Sequence, residues 1–129
     1  MNQIPKLLRS APYFPVFDVD KTVAHYEKVL GFSCAYLAGN PAEFAICSRD
    51  DLSIMLKRVP STETVVPNEK QGGTWDVFFW VKGSDELFLE LKSNGADIAY
   101  EPIIQESYRM KEFAVRDCNG YVLGFGQSL

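Results

Sequence analysis

Asp76, Phe78 and Trp80 alternate along the segment Trp75-Asp76-Val77-Phe78-Phe79-Trp80-Val81. In an extended chain alternate side chains share a face, so one carboxylate and two aromatic rings look the same way. Rings of this kind stack on flat ligands, and a carboxylate among them attracts a cation and repels an anion. Glu43 and Glu112 head two similar tetrapeptides, Glu43-Phe44-Ala45-Ile46 and Glu112-Phe113-Ala114-Val115. Two carboxylates at like positions suit an acid–base pair when close, or are simply solvated counterparts. Tyr13, on an aromatic strand-like segment, and Tyr108, ahead of Glu112, add further rings. Together Tyr13, Glu43, Asp76, Phe78, Trp80, Tyr108 and Glu112 are the expected lining of a cavity for flat, neutral or cationic molecules. On a concave face Asp76 needs a partner, either a basic or tyrosine side chain or the ligand. Trp80 serves equally as filling for such a cavity.

Other chemistries are poorly supplied. His25 is the single histidine, so no site built on two or three imidazoles of one chain is available, and its place in a helical pattern marks it as a surface residue. Cys34, Cys47 and Cys118 are odd in number and form no CxxC pair, which predicts free buried thiols rather than a disulfide framework or a zinc knuckle. Cys47 is expected on the same face as Glu43 and Ala45, as a small apolar filler. A net charge of −4 argues against nucleic-acid binding. No apolar run is long enough for a membrane span or a signal peptide, and a cytoplasmic protein is expected.

The elements that must position these residues come in two copies. At the offset that matches Glu43 with Glu112, Leu52 meets Tyr121, Ile54 meets Leu123 and Leu56 meets Phe125. Each half reads strand, helix, strand, strand, strand. The first strands are expected at 12–16 and 77–81. The first helix is expected to start near Asp20 as its cap, to bury Val23, Tyr26 and Leu30, and to stop at Gly31. The second starts at Ser84, buries Leu87, Phe88 and Leu91, and stops at Gly95. Further strands are expected at 32–37, 43–47 and 52–57, and at 97–100, 111–116 and 121–125, with Asn119-Gly120 turning between the last two. All 129 residues thus form one domain: a module at about 11–59, a linker at about 60–73 and a module at about 74–127. Val77, Phe79, Val81, Leu52, Ile54, Leu56, Leu123 and Phe125 are expected under the helices. Trp75 is expected to point away from Trp80.

The stretch from Val16 to Phe32, with Tyr26 and Leu30-Gly31-Phe32, and the closing Phe113-Ala114-Val115-Arg116-Asp117-Cys118-Asn119-Gly120-Tyr121 resemble the vicinal oxygen chelate superfamily of glyoxalases, bleomycin-resistance proteins and extradiol dioxygenases. The resemblance implies an α+β fold of two tandem βαβββ modules, forming a curved, partly open, barrel-like cavity with helices outside. It also implies a homodimer. The family's enzymes hold a divalent metal at positions that match Ala11, Met55, Asp76 and Gly124 here. Alanine and glycine offer no ligand, and a thioether is a poor one for such metals. No metal or other cofactor is therefore expected. The resemblance then points to the metal-free, bleomycin-resistance-like branch, whose members sequester a small aromatic molecule. An enzyme of the same fold with an atypical or absent metal site is the alternative, and a sensor or accessory subunit docking a protein on the concave face is a third.

Overall fold

The computed structural model describes residues 2–129. Strand β1 (Tyr13–Val16) leads into helix α1 (Val19–Lys28), then β2 (Ser33–Ala38), β3 (Phe44–Arg49) and β4 (Leu52–Arg58). After two short 3-10 turns at Thr62–Thr64 and Asn68–Gln71 the pattern repeats as β5 (Val77–Trp80), α2 (Ser84–Ser93), β6 (Asp97–Gln105), β7 (Met110–Arg116) and β8 (Val122–Ser128). Each module makes its own four-stranded sheet, ordered β1-β4-β3-β2 and β5-β8-β7-β6. In both, the first strand runs parallel to the last, and the remaining pairs are antiparallel. This is the expected α+β pair of βαβββ modules. The two sheets do not hydrogen-bond to each other, so the curved surface is open rather than a closed barrel.

Helix α1 begins two residues earlier than the sequence suggests. Asp18, in extended conformation, accepts the Lys21 amide at 3.0 Å and is the cap. The Asp20 carboxylate is spent elsewhere, on the Ala42 amide at 3.0 Å, where it holds the loop ahead of β3. Both helices end in left-handed glycines, Gly31 (φ 74°) and Gly95 (φ 90°), which a side chain would strain.

Period-2 alternation sorts the strands into two faces. Phe14, Val16, Ile54, Leu56, Phe79, Phe113, Leu123 and Phe125 lie against Tyr26, Leu30, Phe88 and Leu91 of the helical segments. Leu52, expected with them, is exposed, because it opens β4 next to the turn at Asp50 and Asp51 and has no helix over it. The two modules share this core. The Phe14 ring stacks on Tyr121 at 4.3 Å, Tyr26 donates to Asp117 at 2.7 Å, and Arg49 forks onto Glu90 at 2.8 and 2.9 Å.

Third-strand faces differ from expectation. Ala45 pairs with Leu56 and Cys47 with Ile54, so both point into the core. The repeat spacing is one residue shorter in β3/β7 than in β4/β8, and the counterpart of Glu112 is Phe44, not Glu43. The cysteines also depart from the free-thiol expectation. Cys34 and Cys47 face one another across β2 and β3, with Cα atoms 3.9 Å apart, and form a disulfide. Cys118 is free and exposed. His25 sits half-buried beside Tyr26, with its Nε2 enclosed and unpartnered. No helix is long and apolar enough to cross a membrane among the described residues.

Candidate functional site

The face of the second sheet that carries no helix gathers most of the aromatic chemistry. Strand β8 puts Gly124 and Gly126 on this face, opposite Phe78 and Trp80 of β5. The missing side chains make a flat floor. A Cβ at Gly124 would stand 2.6 Å from the Trp75 ring, and one at Gly126 would stand 2.5 Å from Phe78 Cζ. Trp75 and Phe78 therefore lie down on the sheet, edge to face at 4.7 Å, and Phe78 meets Trp80 at 5.1 Å. Trp80 is 72% exposed at the mouth of this array.

Strand β7 delivers Glu112 onto the same face, opposite Gly126. Glu112 is 1% exposed, yet no Lys or Arg pairs with it among the described residues. Its two oxygens are instead taken by phenols. Tyr100 of β6 donates to Oε2, and Tyr108, on the turn between β6 and β7, donates to Oε1. The Trp75 indole N–H donates to the Tyr100 hydroxyl at 2.8 Å, which closes a chain of hydrogen bonds from Trp75 to Tyr108. Burial and then the Glu112 hydrogen bond push the Tyr108 hydroxyl up to about 12 and the Tyr100 hydroxyl higher still. Both phenols stay protonated at neutral pH and act as donors. Chemically the patch offers stacking faces, aligned O–H and N–H groups, and one carboxylate in a low-dielectric setting.

Of the seven residues expected to line a cavity, Phe78, Trp80, Tyr108 and Glu112 converge here. Asp76 and Tyr13 lie together in a different hollow, about 340 Å³, at the junction of the modules beside Tyr121. The Asp76 carboxylate accepts the Asn68 amide at 2.9 Å and the Val122 amide at 2.7 Å, so backbone donors supply the partner that a side chain or ligand was expected to supply. Glu43 stands alone just before β3, beside Arg58 at 3.3 Å and Lys57 at 3.9 Å. Two members were not foreseen. Trp75 precedes β5, so strand alternation does not govern it, and its ring folds onto the face that Trp80 shares. Tyr100 comes from a strand with register shifts on either side of it. The alternate glycines of β8, opposite an aromatic strand, were the available signal for both.

At the positions matching the family's metal ligands, Ala11, Met55 and Gly124 supply nothing, and Asp76 is already bonded through both oxygens. No group of three His, Cys, Asp or Glu side chains among the described residues is arranged to hold a metal ion. The residues present do not fit that metal.

No family model matches the sequence. Neither does any curated protein. Solved structures match closely in shape. TioX from Micromonospora sp. ML1 superposes with a TM-score of 0.74 at 24% identity, over 95% of this chain and 99% of that one. A glyoxalase-related enzyme from Clostridium phytofermentans gives 0.78 at 18% identity, over 99% and 100%. A bleomycin-binding protein solved with bleomycin gives 0.73 at 22% identity, over 95% and 100%.

Proposed function

We propose that this chain, whose fold is that of the bleomycin-binding and glyoxalase-related proteins, is a metal-free small-molecule binding protein of bleomycin-resistance-like type. The observation that carries the proposal is the helix-free face of the second sheet, where Trp75, Phe78, Trp80, Tyr100 and Tyr108 surround Glu112. The ligand is a flat aromatic molecule, neutral or cationic. Trp80, already exposed, stacks on its face, and the phenol-bound carboxylate beneath disfavours an anion. The glycine floor keeps the surface flat enough to admit a ring system.

One sheet face is half a cavity. The matching face of the first sheet carries Tyr13, Met55, Ile46 and Tyr36 in a single cross-strand row, with Phe44 against Tyr36 at 6.1 Å. Tyr13 and Tyr36 are exposed. A contiguous apolar row of this kind marks an association surface. A homodimer on a two-fold axis sets the first sheet of one copy over the second sheet of its partner and encloses two cavities at once.

Calorimetric titration with three probes of similar size tests this: 9-aminoacridine, a flat cation at neutral pH; acridine, neutral there; and an anthracene sulfonate. The cation or the neutral ring binds and the anion does not. Trp80→Ala weakens the preferred probe roughly tenfold, the loss of one aromatic stack. Tightest binding of the sulfonate, or binding unmoved by both Trp80→Ala and Glu112→Gln, overturns the reading.

A second reading, an enzyme without a metal, rests on the chain from Trp75 to Glu112 and Tyr108, which holds an acceptor and protonated donors side by side. Mass spectrometry of a bound probe after prolonged incubation separates the two, since a binding protein returns it unchanged.

A further inference from the structure

Glu112 is 1% exposed, so a ligand on the aromatic face touches its carboxylate only if one of the two phenols bound to it moves. The two phenols are held unequally. Tyr100 stands on β6, and its hydroxyl also accepts from the Trp75 indole at 2.8 Å, so its departure breaks two bonds and leaves the indole N–H bare. Tyr108 stands on the turn 106–109 and is 46% exposed. Among the described residues, Glu112 is the one hydrogen-bond partner of its side chain. Tyr108 is the phenol that can leave at little cost.

The carboxylate also lacks the cation that would suit it. Its neighbours in sequence are basic but engaged elsewhere: Lys111 donates to Asp85 at 2.9 Å, and Arg109 pairs with Glu106 at 3.7 Å. Neutral phenols are weaker donors to a carboxylate than a charged N–H. The sheet leads directly from this acid to the exposed ring. Glu112, Gly126 and Trp80 form one row across β7, β8 and β5. Two strand spacings, about 9–10 Å, separate the ends of that row. The Phe78 ring covers Gly126 between them. A fused ring system lying on Phe78 reaches from Trp80 to the place that the Tyr108 hydroxyl holds on Glu112 Oε1.

We infer that the preferred ligand is a ring cation with an N–H on its edge, which displaces the Tyr108 hydroxyl from Glu112 Oε1 and donates there in its place, while Tyr100 keeps Oε2. This exchange rests on the aromatic-face reading of the ligand site and narrows its ligand class. A charge-assisted bond is roughly twice as strong as a neutral one, so the swap is favourable. The low dielectric around the buried carboxylate enlarges the difference. The released Tyr108 hydroxyl, on an exposed turn, finds water. A neutral N–H replaces one neutral donor by another and gains little. A quaternary ring cation has the charge but no donor, and leaves Tyr108 in place. Tyr108 is thus a specificity-determining residue, the internal competitor that a ligand must outbid for Glu112.

Two flat cations of similar size separate these cases by calorimetric titration: 9-aminoacridine, which carries N–H groups, and 10-methylacridinium, which carries none. The 9-aminoacridine is expected to bind roughly tenfold more tightly. Tyr108→Phe keeps the ring but removes the competing hydroxyl. It is expected to tighten 9-aminoacridine several-fold and to leave 10-methylacridinium unmoved. Glu112→Gln, with circular dichroism unchanged, is expected to cut the preference between the two. With tyrosine labelled by carbon-13 at Cζ, the signal assigned to Tyr108 by its loss in Tyr108→Phe is expected to shift with 9-aminoacridine and not with 10-methylacridinium. Equal affinity for the two cations, both weakened by Trp80→Ala, overturns the exchange and leaves the aromatic-face reading standing. Weaker binding of 9-aminoacridine to Tyr108→Phe makes the hydroxyl a ligand contact rather than a competitor, and also overturns it. Binding of neither cation nor of neutral acridine removes the aromatic-face reading itself.

Discussion

Glu112 and Asp117 are both buried carboxylates without a cation, and they solve the same problem differently. Glu112 is bound by two phenols from side chains of its own module. Removing it by Glu112→Ala leaves two hydroxyls without their acceptor and opens a gap, and is expected to cost about 2–3 kcal/mol in urea unfolding. Tyr108→Phe removes one bond at a half-exposed site and is expected to cost no more than about 1 kcal/mol. Equal losses for the two would show that Glu112 is not the hub. Asp117 sits at the seam of the modules, where it accepts from Tyr26 at 2.7 Å and from the amides of Asn119 at 2.8 Å and Tyr121 at 3.0 Å. Burial dominates these bonds and raises its carboxyl from 3.8 to about 6. The folded form then holds a proton that the unfolded chain has lost. The contribution of Asp117 is therefore fully present below about pH 4 and is lost as pH rises through about 6, a change of order 1–3 kcal/mol. Asp117→Asn is expected to abolish this slope when unfolding free energies are compared across that window. A slope of the same size in the variant would assign it to another group.

At the scale of elements, the disulfide and the glycines of β8 do most to shape the two sheets. Cys34 of β2 and Cys47 of β3 are bridged across the two strands and lie 13 residues apart. A cross-link closing a loop of that length restricts the unfolded chain by about 2–3 kcal/mol. The intact protein under non-reducing conditions is expected to weigh two hydrogens less than its fully reduced form, and reduction is expected to lower its unfolding free energy by that amount. Three titratable thiols in the native protein would remove the bridge. On β8, Gly126 faces Phe78 and Met110 too closely for any side chain. Gly126→Ala is expected to displace the Phe78 ring at a cost of about 1–3 kcal/mol, with a change in tryptophan fluorescence as Trp80 follows. An alanine variant with unaltered fluorescence would mean that the floor is not where the rings rest.

For the whole molecule, the question is whether two modules behave as one body. Their shared core and the Phe14–Tyr121 stack argue for a single cooperative unit. Phe14→Ala is expected to cost about 3–5 kcal/mol, because it empties the seam, and to do so without splitting the transition. The Arg49–Glu90 fork also spans the modules, but its partners are partly exposed, so Glu90→Ala is expected to cost only about 0.5 kcal/mol. Two resolved transitions in calorimetry of the wild-type protein would show independent modules.

The sequence by itself determined the order of elements, the two modules, and the core-facing side of β4, β5 and β8, except that Leu52 at the start of β4 stays exposed. These follow from local periodicity, which a few neighbouring residues express without knowledge of what lies across from them. Phe78, Trp80 and Glu112 were legible for the same reason, since each sits within a regular strand. The rest depended on partners distant in the chain. The face of β3 turned on its register with β4, and a one-residue difference between the repeats carried Ala45 and Cys47 into the core and left Glu43 without the burial of Glu112. The disulfide required β2 to bring Cys34 opposite Cys47, a pairing that spacing cannot announce. Asp76 found backbone amides of the linker and of β8 as its partners, and Trp75 folded onto Gly124, because only the assembled sheet creates those donors and that floor. Register and burial are properties of the chain against itself, and only the tertiary structure decided them.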